Sequence, residues 1–151
     1  MKRISCLLVV LVGWIALNTF TVQAITDKWT KDVTVLPASS RQFITEHFPN
    51  IPVSHIQIEK DFFWVEKYEV ILTDGTNIEF SSKGAWKDVK RYNLPVPQSI
   101  IPDFIQTYVT QHFPGNTIMS IEKDKKDYEI KLNNGLELTF DLQGRLIEID
   151  D

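Results

Sequence analysis

Cysteine is almost absent from this chain: Cys6 is the one thiol in 151 residues. It lies early, behind Arg3-Ile4-Ser5, in a stretch that reads as a targeting segment. Lipoprotein processing wants an apolar stretch upstream of its cysteine, and none precedes Cys6. A mature chain without cysteine has no disulfide, so an exported domain of this kind must be held by its core. Long apolar runs are also missing. The longest, residues 4–16, is shorter than the roughly 20 residues that cross a bilayer. Lys2 and Arg3 precede it, and Val22-Gln23-Ala24 supplies compact residues suited to a signal-peptidase site. Cleavage before Ile25 is expected, giving a periplasmic or secreted protein without membrane contact afterwards. An uncleaved N-terminal anchor is the alternative.

Positive charge is in short supply as well. Removing Lys2 and Arg3 leaves 14 basic residues against 20 acidic ones, a net charge of −6. Such a surface repels nucleic acid, which is excluded as a partner. About 127 mature residues suffice for a core, because a domain of this size buries well over half of its unfolded surface.

What the chain does have is internal order. At an offset of 65, Leu36-Pro37 falls on Ile101-Pro102, and His47-Phe48-Pro49 on His112-Phe113-Pro114. Ile56 likewise falls on Ile121. Past that point the offset is 60: Tyr68-Glu69-Val70 falls on Tyr128-Glu129-Ile130, Gly75 on Gly135, Phe80 on Phe140 and Gly84 on Gly144. The first copy therefore carries five extra residues within Asp61-Phe62-Phe63-Trp64-Val65-Glu66-Lys67. Duplication is the economical reading.

Each copy starts with a helical pattern. Ser40, Phe43, Ile44 and His47 recur at spacings of three and four, as do Ile105, Tyr108, Val109 and His112. Pro37 and Pro102 suit the first turn, and Pro49 and Pro114 end the helix. Alternating segments follow at residues 54–58, 65–73, 76–81 and 85–90, and in the second copy at 136–141 and 145–150. Asp74-Gly75 and Asn134-Gly135 predict two-residue hairpin turns. The expected fold is α+β, a tandem repeat of one helix plus four antiparallel strands with both helices on one face of the sheet. The boundaries are a signal peptide at 1–24, an N-terminal lead at 25–35, repeats at 36–91 and 101–151, and a stiff proline-rich connector at 92–100. The two repeats form one structural domain.

The order Leu-Pro, helix, His-Phe-Pro, Tyr-Glu-Val/Ile, Asp/Asn-Gly, Phe, Gly resembles the PepSY-like family of bacterial envelope proteins, also described as β-lactamase-inhibitor-like. The resemblance spans nearly all of the mature chain. It implies a periplasmic location and a fold like that of the β-lactamase inhibitor protein. It brings no catalytic residues, and an inhibitory or protein-binding role follows from it by fold analogy alone.

Chemistry-bearing residues are sparse. His47 and His112 end their helices, where a packed histidine is favourable, and equivalent repeat positions are far apart in space, so no zinc pattern forms with His55. Glu69 and Glu129 point away from Tyr68 and Tyr128 and read as solvated sheet positions, since no nucleophile or phosphate loop accompanies them. Asp124-Lys125-Lys126-Asp127 reads as a charged turn, not a calcium loop. No cofactor, metal or enzymatic activity is expected.

The aromatics carry more information. Phe62, Phe63 and Trp64 cannot all face inward on a strand. Trp86 has the parity of Asp88 and Lys90, which places it on the open sheet face beside Glu69, Ile71 and Glu79, with Leu146 as its counterpart in the second copy. The expected binding surface is Trp86 with Ile71, Glu69 and His55, together with the Phe62-Phe63-Trp64 hairpin, facing an envelope protein. In the competing reading, Trp29 and the N-terminal lead fold over these aromatics. A small-ligand carrier or sensor is the functional alternative, and it would need an apolar pocket.

Overall fold

The computed structural model describes residues 28–151. The cleavage site expected before Ile25 lies outside them. Nine strands form one antiparallel sheet in chain order: β1 (Lys28–Thr30), β2 (Val53–Asp61), β3 (Trp64–Leu72), β4 (Asn77–Ser81), β5 (Trp86–Lys90), β6 (Ile118–Lys123), β7 (Asp127–Leu132), β8 (Glu137–Asp141) and β9 (Leu146–Asp150). Helix α1 (Ala38–His47) precedes β2–β5, and α2 (Asp103–His112) precedes β6–β9. The strand not foreseen is β1. Part of the lead pairs with β2, Lys28 opposite Ile58 and Thr30 opposite Ile56.

Both helices lie on the same face. Ser40 and Ile44 of α1, and Ile105 and Val109 of α2, are buried against the inward side chains of the strands. Phe43 meets the edge of Phe80 at 5.6 Å, and Tyr108 meets Phe140 at 5.2 Å in the same T-shaped manner. The alternation read from the sequence is the cause, because Ile56 and Ile58, Tyr68, Val70 and Leu72, Ile78 and Phe80, Ile130 and Leu132, and Leu138 and Phe140 recur at every second position and fall on the helix side. Ile56, Val70, Ile78, Phe80, Val89, Ile121, Ile130, Leu138 and Phe140 are fully shielded from solvent. The two halves share this core. Strands β5 and β6 pair through Asp88 and Glu122, Val89 and Ile121, and Lys90 and Ser120. The connector extends that contact: Arg91 N–H donates to Met119 O and Val96 N–H to Ile118 O, each at 2.8 Å.

Each helix starts without a side-chain cap, at Pro37 and Pro102. In α1 the first-turn hydroxyls turn away from the helix. Ser39 and Ser40 Oγ both donate to the carbonyl of Gly84, at 3.2 Å. Each helix ends where φ of −130° at Phe48 and Phe113 takes the chain out of helical geometry ahead of a proline.

The hairpin turns differ from expectation. Asp74 and Asn134 keep negative φ, and only the following Gly75 and Gly135 are left-handed, at φ +85° and +98°. Leu72 O accepts from Gly75 N–H, and Leu72 N–H donates to Thr76 O, so the loop has three residues with glycine last. The same pair of bonds closes the turns at Ser81–Ala85, Leu132–Leu136 and Asp141–Arg145.

Candidate binding surface

The helices leave the opposite face of the sheet uncovered. Register across that face lines up one residue per strand: Gln57, Glu69, Glu79, Asp88, Glu122, Glu129, Thr139 and Glu148. Six of these eight are acidic, and neighbouring strands lie about 4.8 Å apart. Like charges directly opposite one another oppose pairing. Lysines beside the row relieve part of this. Lys67 bonds Glu79 at 2.8 Å and approaches Glu59 at 3.4 Å, and Lys90 bonds Asp88 at 2.6 Å. Asn77 donates to Glu69.

The strain gathers at the junction of the two halves. Burial pushes the Asp88 carboxyl above its ordinary 3.8, and the Lys90 ammonium only partly offsets it. Asp88 Oδ1 is buried without a hydrogen-bond partner. Glu122 is raised by burial and then by the charges of Asp88 and Glu129. A carboxylate raised in the folded state adds stability below its unfolded pKa and loses it as pH rises through the folded one. Asp88→Asn is therefore expected to raise the melting temperature at pH 7, by on the order of 3 °C. That gain should shrink to nothing near pH 3, where both forms are neutral. A thermal melt of the two proteins across this range reads the difference directly, and an equal gain at both ends would refute the repulsion account.

Of the residues expected on this face, three are there together. His55 pairs with Ile71, and Gln57 beside it pairs with Glu69. Trp29 of β1 stands over His55, ring centres 5.0 Å apart, and stays 57 % exposed. The lead thus caps one corner of the face and leaves the rest bare.

Trp86 is not on it. A bulge lies between β4 and β5: Glu79 pairs with Asp88, but Phe80 pairs with Trp86. The extra residue, Lys87, shifts the parity of everything before it. Trp86 consequently faces the helices, half-buried and stacked on Phe43 at 5.9 Å, with Lys123 Nζ 5.7 Å from its ring. Leu146 is turned the same way by the matching bulge between β8 and β9. Phe62, Phe63 and Trp64 form neither face. They make up the tip of the β2–β3 hairpin.

The histidines stay apart. His47 bonds Ser99 Oγ at 2.8 Å and packs on Phe43, and His112 stacks on Tyr108 at 4.2 Å. Among the described residues no three His, Cys, Asp or Glu side chains are grouped to hold a metal, and no helix is long and apolar enough to cross a membrane. A concavity of about 390 Å³ is an open groove between the connector and α2, lined by Pro95, Ile101, Gln106 and Val109. Gln106 is engaged there with the carbonyls of Gln98 and Ile101.

Over residues 66–148 the chain matches a known family model, described as "Putative beta-lactamase-inhibitor-like, PepSY-like". The chain belongs to the PepSY-like family. Solved relatives agree along their length. A protein from Bacteroides thetaiotaomicron, described as a "putative calcium-regulated periplasmic protein", is 46% identical at a TM-score of 0.78, over 83% of this chain and 97% of its own. Two proteins from Bacteroides vulgatus, both described as periplasmic and one as of unknown function, are 41% and 39% identical, each at a TM-score of 0.78. They are matched over 99% and 100% of their own lengths and cover 85% and 83% of this chain. No curated protein matches the sequence. These PepSY-like relatives support an envelope location, and none of the descriptions names a catalytic activity.

Proposed function

We propose that this PepSY-like protein is a non-catalytic periplasmic binding module, built from a duplicated helix-plus-four-strand unit, that docks a basic surface of an envelope protein on its bare sheet face. One observation carries the reading: the carboxylate row from Glu69 to Glu148 crosses both halves on the side no helix covers. Holding like charges in register costs stability, and lysine or arginine side chains of a partner would relieve that cost. Asp88 and Glu122, whose carboxyls burial and neighbouring charge push upward, would lie at the centre of the footprint. The His55–Ile71 pair beside Glu69 offers it an apolar flank. An inhibitory outcome would follow if the partner's basic surface borders its active site.

The relative described as calcium-regulated supports a role for calcium as a competitor for this row. The ion would act by screening the row's charge. The small-ligand alternative has less behind it, because the groove beside α2 is open and its amide is already engaged with backbone.

The test compares wild type with Glu122→Lys/Glu129→Lys, both exposed positions on the row, as baits in periplasmic extract. Wild type should retain a partner at low salt and release it by about 0.5 M salt, where the Debye length falls to a few ångströms. The charge-reversed bait should retain at least tenfold less. Equal recovery on both baits would eliminate the face as the docking surface.

A further inference from the structure

The β2–β3 tip stands outside the reading above and has a chemistry of its own. In a sheet ordered β1 to β9, the β2–β3, β4–β5, β6–β7 and β8–β9 turns all lie at one end. Strand β4 pairs with β3 only over Lys67–Ile71, so the ladder pairs Lys60–Val65 and Asp61–Trp64 extend past the third strand as a two-stranded ribbon. Phe62, Phe63 and Trp64 crown it, 84 %, 87 % and 68 % exposed. Their recorded ring contacts are with one another, Phe62 to Phe63 and Phe63 to Trp64, each at 6.4 Å. Phe62 has φ +42°, a left-handed conformation that bulky residues rarely adopt. No such tip exists in the second half, where Asp124, Lys125 and Lys126 make a charged turn.

Chain direction says what this tip faces. Strand β1 runs antiparallel to β2, with Thr30 opposite Ile56 and Lys28 opposite Ile58. Strand β1 therefore begins on the tip side and runs away from it. Until the expected cleavage before Ile25, residues 17–27 join that end to the apolar stretch at residues 4–16. The same end displays exposed Lys83, Lys125 and Lys126 and the half-exposed Leu142. Asp61 and Asp124 balance part of that charge, so the apolar term dominates. Aromatic side chains favour the headgroup layer of a bilayer, where a ring is buried while backbone and charges stay wet. The acidic row keeps the broad face away from anionic lipid, which leaves an end-on approach.

We propose that the tip is a lipid-docking device: Phe62, Phe63 and Trp64 enter the interfacial layer of a bilayer and hold the domain end-on to the membrane from which the chain emerges. This departs from the expectation of no membrane contact after cleavage, because the contact is made by the folded domain. It is independent of the sheet-face reading, and salt separates the two. Lipid docking through aromatic rings should survive 0.5 M salt, and the face contact should not.

The experiment uses protein purified from the periplasm of expressing cells, with vesicles of phosphatidylethanolamine and phosphatidylglycerol in a 3:1 ratio. Trp64 emission, isolated by subtracting the Trp64→Phe spectrum, should shift to the blue and be quenched by lipids brominated near the headgroup. Flotation with the vesicles should fall about tenfold or more in Phe62→Ser/Phe63→Ser/Trp64→Ser. The exposed positions keep that variant folded, which its melting temperature verifies. Unquenched Trp64 overturns the proposal, whether or not the protein floats, because flotation without tip contact would come from elsewhere in the chain. Quenching abolished by soluble periplasmic proteins instead of excess vesicles would assign the tip to a protein pocket and overturn it equally.

Discussion

Phe80→Ala is expected to cost about 4 kcal/mol and to lower the melting temperature by roughly 15 °C. Phe80 is fully buried on β4 and is met edge-on by Phe43 of α1. Truncation leaves a cavity under that helix which Trp86 and Phe43, already stacked on one another, cannot close without giving up their own contact. The matched change, Phe140→Ala, removes the ring that holds Phe104 and Tyr108 of α2, and should cost a similar amount. The informative quantity is the shape of the transition. Strands β5 and β6 run the sheet without interruption from one half to the other, and Arg91 ties the end of β5 to Asp74 at 2.7 Å and to the connector at Pro95. Neither half has a sheet edge of its own at that junction. Each variant should therefore melt in one transition, seen alike by near- and far-ultraviolet dichroism. A two-step melt in Phe80→Ala, with the second step at the wild-type temperature, would show that the halves unfold separately.

The same features explain what could be read ahead of the structure. Helices and most strands were legible because their apolar periods are clean and each is bounded by proline or glycine. Ile44 and Ile105 fall where the stripe puts them. Trp86 was misplaced because parity counting assumes an unbroken ladder, and one extra residue at Lys87 inverts it. Nothing in Trp86-Lys87-Asp88 announces a bulge. Its cause is tertiary, since stacking on Phe43 gives the ring a place to bury that the bare face lacks. The acidic row was half legible. Glu69 and Glu129 stood out as a repeated pair, but the alignment of Glu79, Asp88 and Glu122 between them depends on register across four strand pairs. Turn length sets part of that register, and the β3–β4 turn holds three residues, not two. Strand β1 was invisible because three residues carry no period.

Gly84→Ala is the turn substitution expected to do most damage, about 3 kcal/mol and a fall of roughly 10 °C in melting temperature. Two costs combine. Its φ of +85° strains any residue with a Cβ, as it does at Gly75. Gly75 faces open space, so Gly75→Ala should show the conformational cost alone, about 1 kcal/mol. At Gly84 the added methyl would sit 2.6 Å from Pro37 Cβ and 2.3 Å from Ser39 Oγ. Neither can yield cheaply. Pro37 is rigid and opens α1, and the Ser39 and Ser40 hydroxyls are both bonded to the Gly84 carbonyl. Moving the turn breaks those bonds, and moving the helix lifts Phe43 from Phe80. In the second half a methyl added at the equivalent Gly144 would instead sit 3.1 Å from Phe104, and an aromatic ring can tilt where a proline cannot. Gly144→Ala should therefore fall between the other two. The order Gly84, Gly144, Gly75 in lost melting temperature is the expected result. If Gly84→Ala melted no lower than Gly75→Ala, the contact between the α1 N-terminus and the β4–β5 turn would be incidental to how the helix is seated.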